Sequence, residues 1–155
     1  MFVLKIKTRD FGELEVDENN IIFFENGLPG FENYKKFVII PLAEDSPFII
    51  IQSLDDSDAA FTAVEPGNFI KNYSFEISDK VEEELKISSI EDLMVLNIIT
   101  LKEEIRNSTL NLSAPIIINL KDNLGRQIIL DEPHFELRYK LFAPAQSEKE
   151  LEVSD

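Results

Sequence analysis

Two glycines three residues apart, Gly27 and Gly30, frame Leu28 and Pro29 in the stretch "ENGLPGFENYKKFVII". They raise the first chemical possibility in this chain, a loop that holds an anion on its backbone amides. A phosphate loop aims several amides at its ligand, usually with a helix N-terminus directly behind them. Pro29 deletes one amide from the middle of this loop, and neither Gly-Lys-Ser/Thr nor G-x-G-x-x-G follows. Leu-Pro-Gly has instead the order of a type II turn, with proline setting φ at the first central position and glycine taking positive φ at the second. A tight turn feeding the strand that begins near Phe37 is the expectation, with Lys35 and Lys36 as edge or surface charges.

The remaining chemistry-bearing residues give no catalytic constellation. Asp55, Asp56 and Asp58 cluster in "LDDSDAAF". A calcium loop places carboxylates at alternate positions, with a glycine near its middle and a closing bidentate acid. This run has neither, so a solvated turn between strands is expected. His134 is the single histidine and cysteine is absent. That argues against a zinc centre, which usually draws on several such ligands, and removes thiolate catalysis. No G-x-S-x-G elbow supports a serine nucleophile. Thirty acidic residues make any chosen carboxylate pair uninformative. A polar pocket using Glu65 or Asp131 is the enzymatic or small-ligand alternative. No cofactor and no metal are expected.

These residues are carried by β-type segments. In "FVLKIKT", Leu4 and Ile6 alternate with Lys5 and Lys7, the period of a half-buried strand, and Leu14 and Val16 repeat it after a short turn. Apolar runs at 21–24, 36–42, 47–54, 59–64, 93–101, 109–120, 126–131 and 135–142 follow, cut by Pro, Asp, Ser and Glu. "DNLG" (122–125) reads as a hairpin turn with Gly125 available for positive φ. Helix is scarce: "SDKVEEELK" (78–86) has Ser78 as cap, Ile77, Val81 and Leu85 on one face, and Glu82 to Glu84 outward, while "SSIEDLM" (88–94) adds at most one turn. Many short strands separated by turn residues predict a mainly β, single antiparallel β-barrel-like domain with one or two short helices over residues 1–142, followed by a flexible acidic tail over 143–155.

Bulk charge narrows the partners. Fifteen Lys and Arg stand against thirty Asp and Glu, a net charge of −15 at pH 7. Such a surface is repelled by phosphate backbones and anionic membranes, so direct nucleic-acid or membrane binding is disfavoured. The absence of cysteine suits a reducing cytoplasm, and the alternating N-terminus lacks the pattern of a signal peptide. Self-repulsion makes a monomer the default.

The ordered set of motifs resembles the flagellar assembly factor family FliW. It comprises Gly27-Leu28-Pro29-Gly30-Phe31, Pro47-Phe48 with Gln52-Ser53, and Phe61 leading to Pro66. Asn111-Leu112 with Ala114-Pro115-Ile116 and Asn119 follow, and Gly125 to Gln127 close it, so that the similarity covers roughly residues 4 to 131. The resemblance implies a small cytoplasmic β protein without catalytic activity. It also implies two alternative protein partners: CsrA, a translational repressor antagonised away from its RNA surface, and flagellin, whose accumulation sequesters the factor. A general chaperone for secreted flagellar subunits is a further alternative. Leu28, Phe31 and Phe48 are candidate apolar contacts for a partner, against plugging the barrel end. Gln52, Asn111 and Asn119 either meet a partner or hold backbone at strand crossings.

Overall fold

The structure is a computed structural model and describes residues 3–141. The tail expected over 143–155 lies outside the described residues.

Eleven strands are described: β1 (Val3–Thr8), β2 (Gly12–Asp17), β3 (Ile22–Phe23), β4 (Lys36–Pro41), β5 (Phe48–Ser53), β6 (Ala60–Val64), β7 (Leu93–Thr100), β8 (Thr109–Leu110), β9 (Ile116–Asn119), β10 (Leu124–Gln127) and β11 (Tyr139–Lys140). Seven of them close a barrel in the order β3-β4-β5-β6-β7-β9-β10, because β7 pairs with β9 and β10 pairs back to β3. Closure removes the exposed strand edges that an open sheet would present. The expected antiparallel barrel is therefore present, with one exception. β3 and β10 run parallel, Phe23 opposite Leu124, because the chain must return to its first barrel strand from the far end.

The barrel interior follows the two-residue period of its strands. Phe37, Ile51, Ala63, Leu96, Ile116 and Ile118 point inward with Phe24 and Leu28, each 4% exposed or less. β9 is buried at all four positions, which explains why "IIIN" lacks alternation. Its outer residue Ile117 is covered by a six-residue helix, α1 (Asp79–Glu84), through Val81 and Leu85. Burying a side chain of this kind is worth roughly 1.5–3 kcal/mol, so the helix is held mainly by that contact.

Local chemistry fixes the ends of α1. Ser78 Oγ accepts the Val81 N–H at 3.2 Å, as its position predicts. At the C-terminus Lys86 takes φ +55°, and the Ile87 N–H reaches back to the Glu82 carbonyl at 3.0 Å. This is the closing pattern usually given to glycine. The shared face of Ile77, Val81 and Leu85 is as expected. Glu84 departs from its outward assignment: it is half-buried and forms an ion pair with Arg126 of β10.

Two further features differ from the sequence-based expectation. The run at 109–120 is two strands, β8 and β9, separated by a crossing at 111–115. In the 122–125 turn the positive φ falls on Asn123, at +54°, and Gly125 sits inside β10. Asparagine tolerates the left-handed region through its short polar side chain. Gly125 is needed for another reason: a β-carbon there would lie 2.5 Å from the Phe24 ring.

Candidate partner-binding surface

The opening turn forms as expected. The Phe31 N–H donates to the Leu28 carbonyl at 2.7 Å and Gly30 takes φ +86°, the geometry of a type II turn. The turn splits its two apolar residues. Leu28 is 1% exposed inside the barrel, whereas Phe31 is 37% exposed. Phe31 stacks on Tyr34 at 6.0 Å and meets the edge of Phe61 at 5.3 Å. Beside it, the Tyr34 hydroxyl donates to Asp56 Oδ2 at 2.9 Å, and that carboxylate pushes the phenol pKa up.

The acidic run at 55–58 is a turn whose side chains hold backbone. Ser53 Oγ accepts the N–H groups of Asp55 and Asp56, Asp56 accepts from Asp58 N–H, and Asp55 accepts from Lys35 N–H. Similarly, Glu32 accepts the Gly30 N–H at 3.0 Å, and that bond lowers its carboxyl pKa. His134 lies exposed, its Nε2 at 3.4 Å from Glu132 and its ring against Phe135.

The candidate amides hold the fold's joints. Gln52 is fully buried; its Oε1 accepts the Arg9 N–H at 3.0 Å and its Nε2 donates to the Ser57 carbonyl. With Arg9 Nη1 donating to the Ala60 carbonyl at 2.6 Å, it ties the β1–β2 hairpin to the barrel's outer face. Asn119, 1% exposed, donates to the Leu85 carbonyl at 2.7 Å and closes the C-terminus of α1. Asn111 is half-buried and accepts both the N–H and the hydroxyl of Ser113, turning the chain from β8 toward β9. Leu28, Gln52 and Asn119 thus present almost no surface, whereas Phe31, Phe48 and Asn111 reach it, Asn111 with its side-chain oxygen engaged by Ser113.

A fourth amide went unnoticed in sequence. Asn97 lies where β7 changes neighbour from β9 to β8, and is fully buried. Its Nδ2 donates to the Asn111 carbonyl at 2.8 Å and to the Tyr73 hydroxyl at 3.1 Å, while Tyr73 donates to the Leu112 carbonyl at 2.5 Å. A polar residue inside "LMVLNIITL" was the available signal, since a buried amide must find partners.

Phe48 belongs to the most apolar of the described surface depressions. Its ring is half-buried against Phe69, 6.4 Å away, and its remaining face lines a groove of about 240 Å³ with Leu42, Ile50, Leu101 and Ile105. Leu42, Leu101 and Ile105 are 42%, 51% and 57% exposed, so three aliphatic side chains stand in solvent around one depression. Arg9, Asp10 and Thr62 supply its polar margin. Of the groove residues, Leu101 reads in sequence as the end of the apolar run 93–101, and Ile105 stands alone among charged residues, so neither signals a surface.

The fold is thus a closed β barrel whose buried amides mostly hold its own backbone, Asn97 Oδ1 being buried without a partner, and whose aromatic and aliphatic groups surface in shallow depressions. Its family follows from comparison. The chain belongs to the FliW family of flagellar assembly factors: the family model described as FliW protein matches residues 5–141. It is 41% identical over 139 residues to the flagellar assembly factor FliW of Clostridium kluyveri, covering 90% of this chain and 96% of that protein. Against the Bacillus subtilis protein of the same name it is 40% identical over 136 residues, 88% and 95% of the two chains. A crystal structure of the flagellar assembly factor FliW superposes with a TM-score of 0.85 at 35% identity, covering 90% of this chain and 97% of the other. These relatives carry the name of an assembly factor, and no helix among the described residues is long and apolar enough to cross a membrane.

Proposed function

We propose that this protein is a non-catalytic regulator of flagellar assembly in the bacterial cytoplasm, binding the translational repressor CsrA and, in exchange, flagellin. Family membership supports the reading, and the groove at Leu42, Phe48, Leu101 and Ile105 carries it as a physical site. An amphipathic helix presents apolar side chains at i, i+3, i+4 and i+7, and a row of exposed aliphatics around one depression is the complementary surface. The unpaired terminal helices of flagellin, which the family resemblance implies, are segments of that kind. Docking there buries residues that otherwise stand in water.

Charge supports the antagonism of CsrA. An RNA-binding repressor is basic where it meets phosphate, and a −15 protein beside that surface sets carboxylates where the RNA backbone would run. Like-charge juxtaposition can cost several kcal/mol, enough to shift RNA affinity by orders of magnitude. Size-exclusion chromatography with each partner tests the reading. Co-elution with CsrA and with flagellin, but not with both in one complex, is expected. Failure to co-elute with either contradicts it.

A further inference from the structure

Ile90 is 83% exposed, the most exposed of the large apolar side chains described. It is not on a frayed end. The 3-10 turn Ile90–Asp92 is capped by Ser89, whose Oγ accepts the Glu91 N–H at 3.3 Å and whose carbonyl accepts the Asp92 N–H at 3.2 Å. The Asp92 carbonyl in turn accepts the Leu120 N–H at 2.8 Å, fastening the turn to the end of β9. An ordered turn therefore holds a large aliphatic group out in water, which is unfavourable relative to burying it. Next to it, Phe75, Ile77, Ile87 and Leu93 line a crevice of about 340 Å³ between α1 and this turn. None of them lines the Phe48 groove.

The charge around this crevice is mainly acidic. Residues 76–92 carry seven carboxylates, Glu76, Asp79, Glu82, Glu83, Glu84, Glu91 and Asp92, against two lysines, Lys80 and Lys86. Arg126 takes Glu84, and Glu82 forms part of the crevice wall itself. A second copy of this chain would bring another net −15 to the same place, and a nucleic acid or anionic membrane would be repelled. What complements an apolar slot with an acidic margin is an apolar anchor flanked by Lys or Arg.

We propose that the crevice between α1 and the Ile90 turn is a second docking surface, which takes a short basic segment with aliphatic anchors from a protein partner. This inference rests on the reading that the protein exchanges one protein partner for another, and it assigns the basic one, CsrA, to this crevice. Since the two partners are not held in one complex, CsrA bound here must also exclude flagellin from the Phe48 groove, although the two surfaces share no lining residue. Ile90 enters an apolar pocket of the partner, while an aliphatic side chain of the partner fills the slot between Ile77, Ile87 and Leu93. Glu82 and Glu91 pair with the flanking cations. Those pairs set the rate of encounter and the salt dependence more than the final affinity.

The test uses the full chain and purified CsrA, with affinity measured by titration calorimetry at low and at physiological salt. Ile90→Ser leaves folding intact, since the side chain makes little contact, and is expected to weaken CsrA binding at least about tenfold. Glu82→Gln with Glu91→Gln is expected to flatten the salt dependence, with a smaller loss at high salt. Unchanged CsrA affinity in both variants overturns the crevice proposal while leaving the partner-exchange reading standing. No binding by the wild-type chain overturns that reading and this assignment together. Concentration-dependent self-association that disappears in Ile90→Ser would identify a second copy as the occupant, and also overturns the proposal.

Discussion

The ring of Phe24 occupies the space above Gly125, so close that a β-carbon on the glycine would lie 2.5 Å from Cζ and 2.7 Å from Cε2. Phe24 is fully buried and holds Phe37 edge-on at 5.2 Å, so it has no free direction in which to move. Gly125→Ala is therefore expected to destabilise the fold by about 1–3 kcal/mol, the usual cost of forcing extra atoms into a packed core. Urea unfolding measures it. Combining Gly125→Ala with Phe24→Leu should cost less than the sum of the two single changes, because the smaller side chain releases the clash.

That contact also marks the limit of what the sequence discloses. Most strand positions were legible, because alternation in β1 and β2 and apolar runs elsewhere follow from burial on one or both faces, but the runs at 126–131 and 135–142 are strand only at 126–127 and 139–140. The cap at Ser78 and the turn at Leu28–Phe31 were legible because their chemistry is local. Gly125 was not: its neighbour lies across the parallel β3–β10 pairing, about a hundred positions away in sequence, and no local pattern encodes it. The six candidate contact residues divided on the same principle. A buried amide such as Gln52 or Asn119 announces that it needs partners, but whether these are backbone or another protein depends on which strand ends meet. The exposed aliphatics were hidden otherwise: Leu101 reads as a strand end, and Ile90 and Ile105 stand singly among polar residues, where one apolar side chain is unremarkable.

Lys86 ends α1 at φ +55°, a region that costs a residue with a β-carbon roughly 1–2 kcal/mol. Its side chain is exposed, and the Asn119 amide holds its carbonyl at 3.3 Å. Lys86→Gly removes the steric cost without disturbing that bond, although glycine loses more entropy on folding. A net gain of about 0.5–1 kcal/mol is expected, read as a higher urea midpoint with an unchanged slope. A lower midpoint would mean that Lys86 makes a contribution other than its backbone shape.

Burial raises the pKa of the Tyr73 phenol above the usual 10.0, with the Asn97 contact opposing it in part. The folded state thus favours the neutral phenol. Its contribution to stability is complete below the unfolded value, and is lost as pH rises through the folded one. Wild-type stability should fall more steeply than that of Tyr73→Phe once pH exceeds 10, and the two slopes should match near neutrality. Chemical denaturation at pH 8 and across pH 10–11 compares them. Equal slopes throughout would show that the phenol titrates alike in both states.

The groove should be separable from the fold. Leu101 and Ile105 are more than half exposed, so Leu101→Ser with Ile105→Ser is expected to change stability by no more than about 0.5 kcal/mol per site. Flagellin affinity should fall at least about tenfold, since apolar anchors in the centre of a contact dominate its energy. Fluorescence titration with labelled flagellin measures the loss. Undiminished affinity would move the flagellin site elsewhere on the barrel.

The central claim is an exchange of partners, and a three-step titration tests it most directly. Labelled RNA is first bound to CsrA and followed by anisotropy, this protein is then added, and flagellin is added last. The account predicts that anisotropy falls on the second addition and recovers on the third, in that order. If RNA stays bound at saturating concentrations of this protein, or if flagellin fails to restore the signal, the exchange does not occur as described.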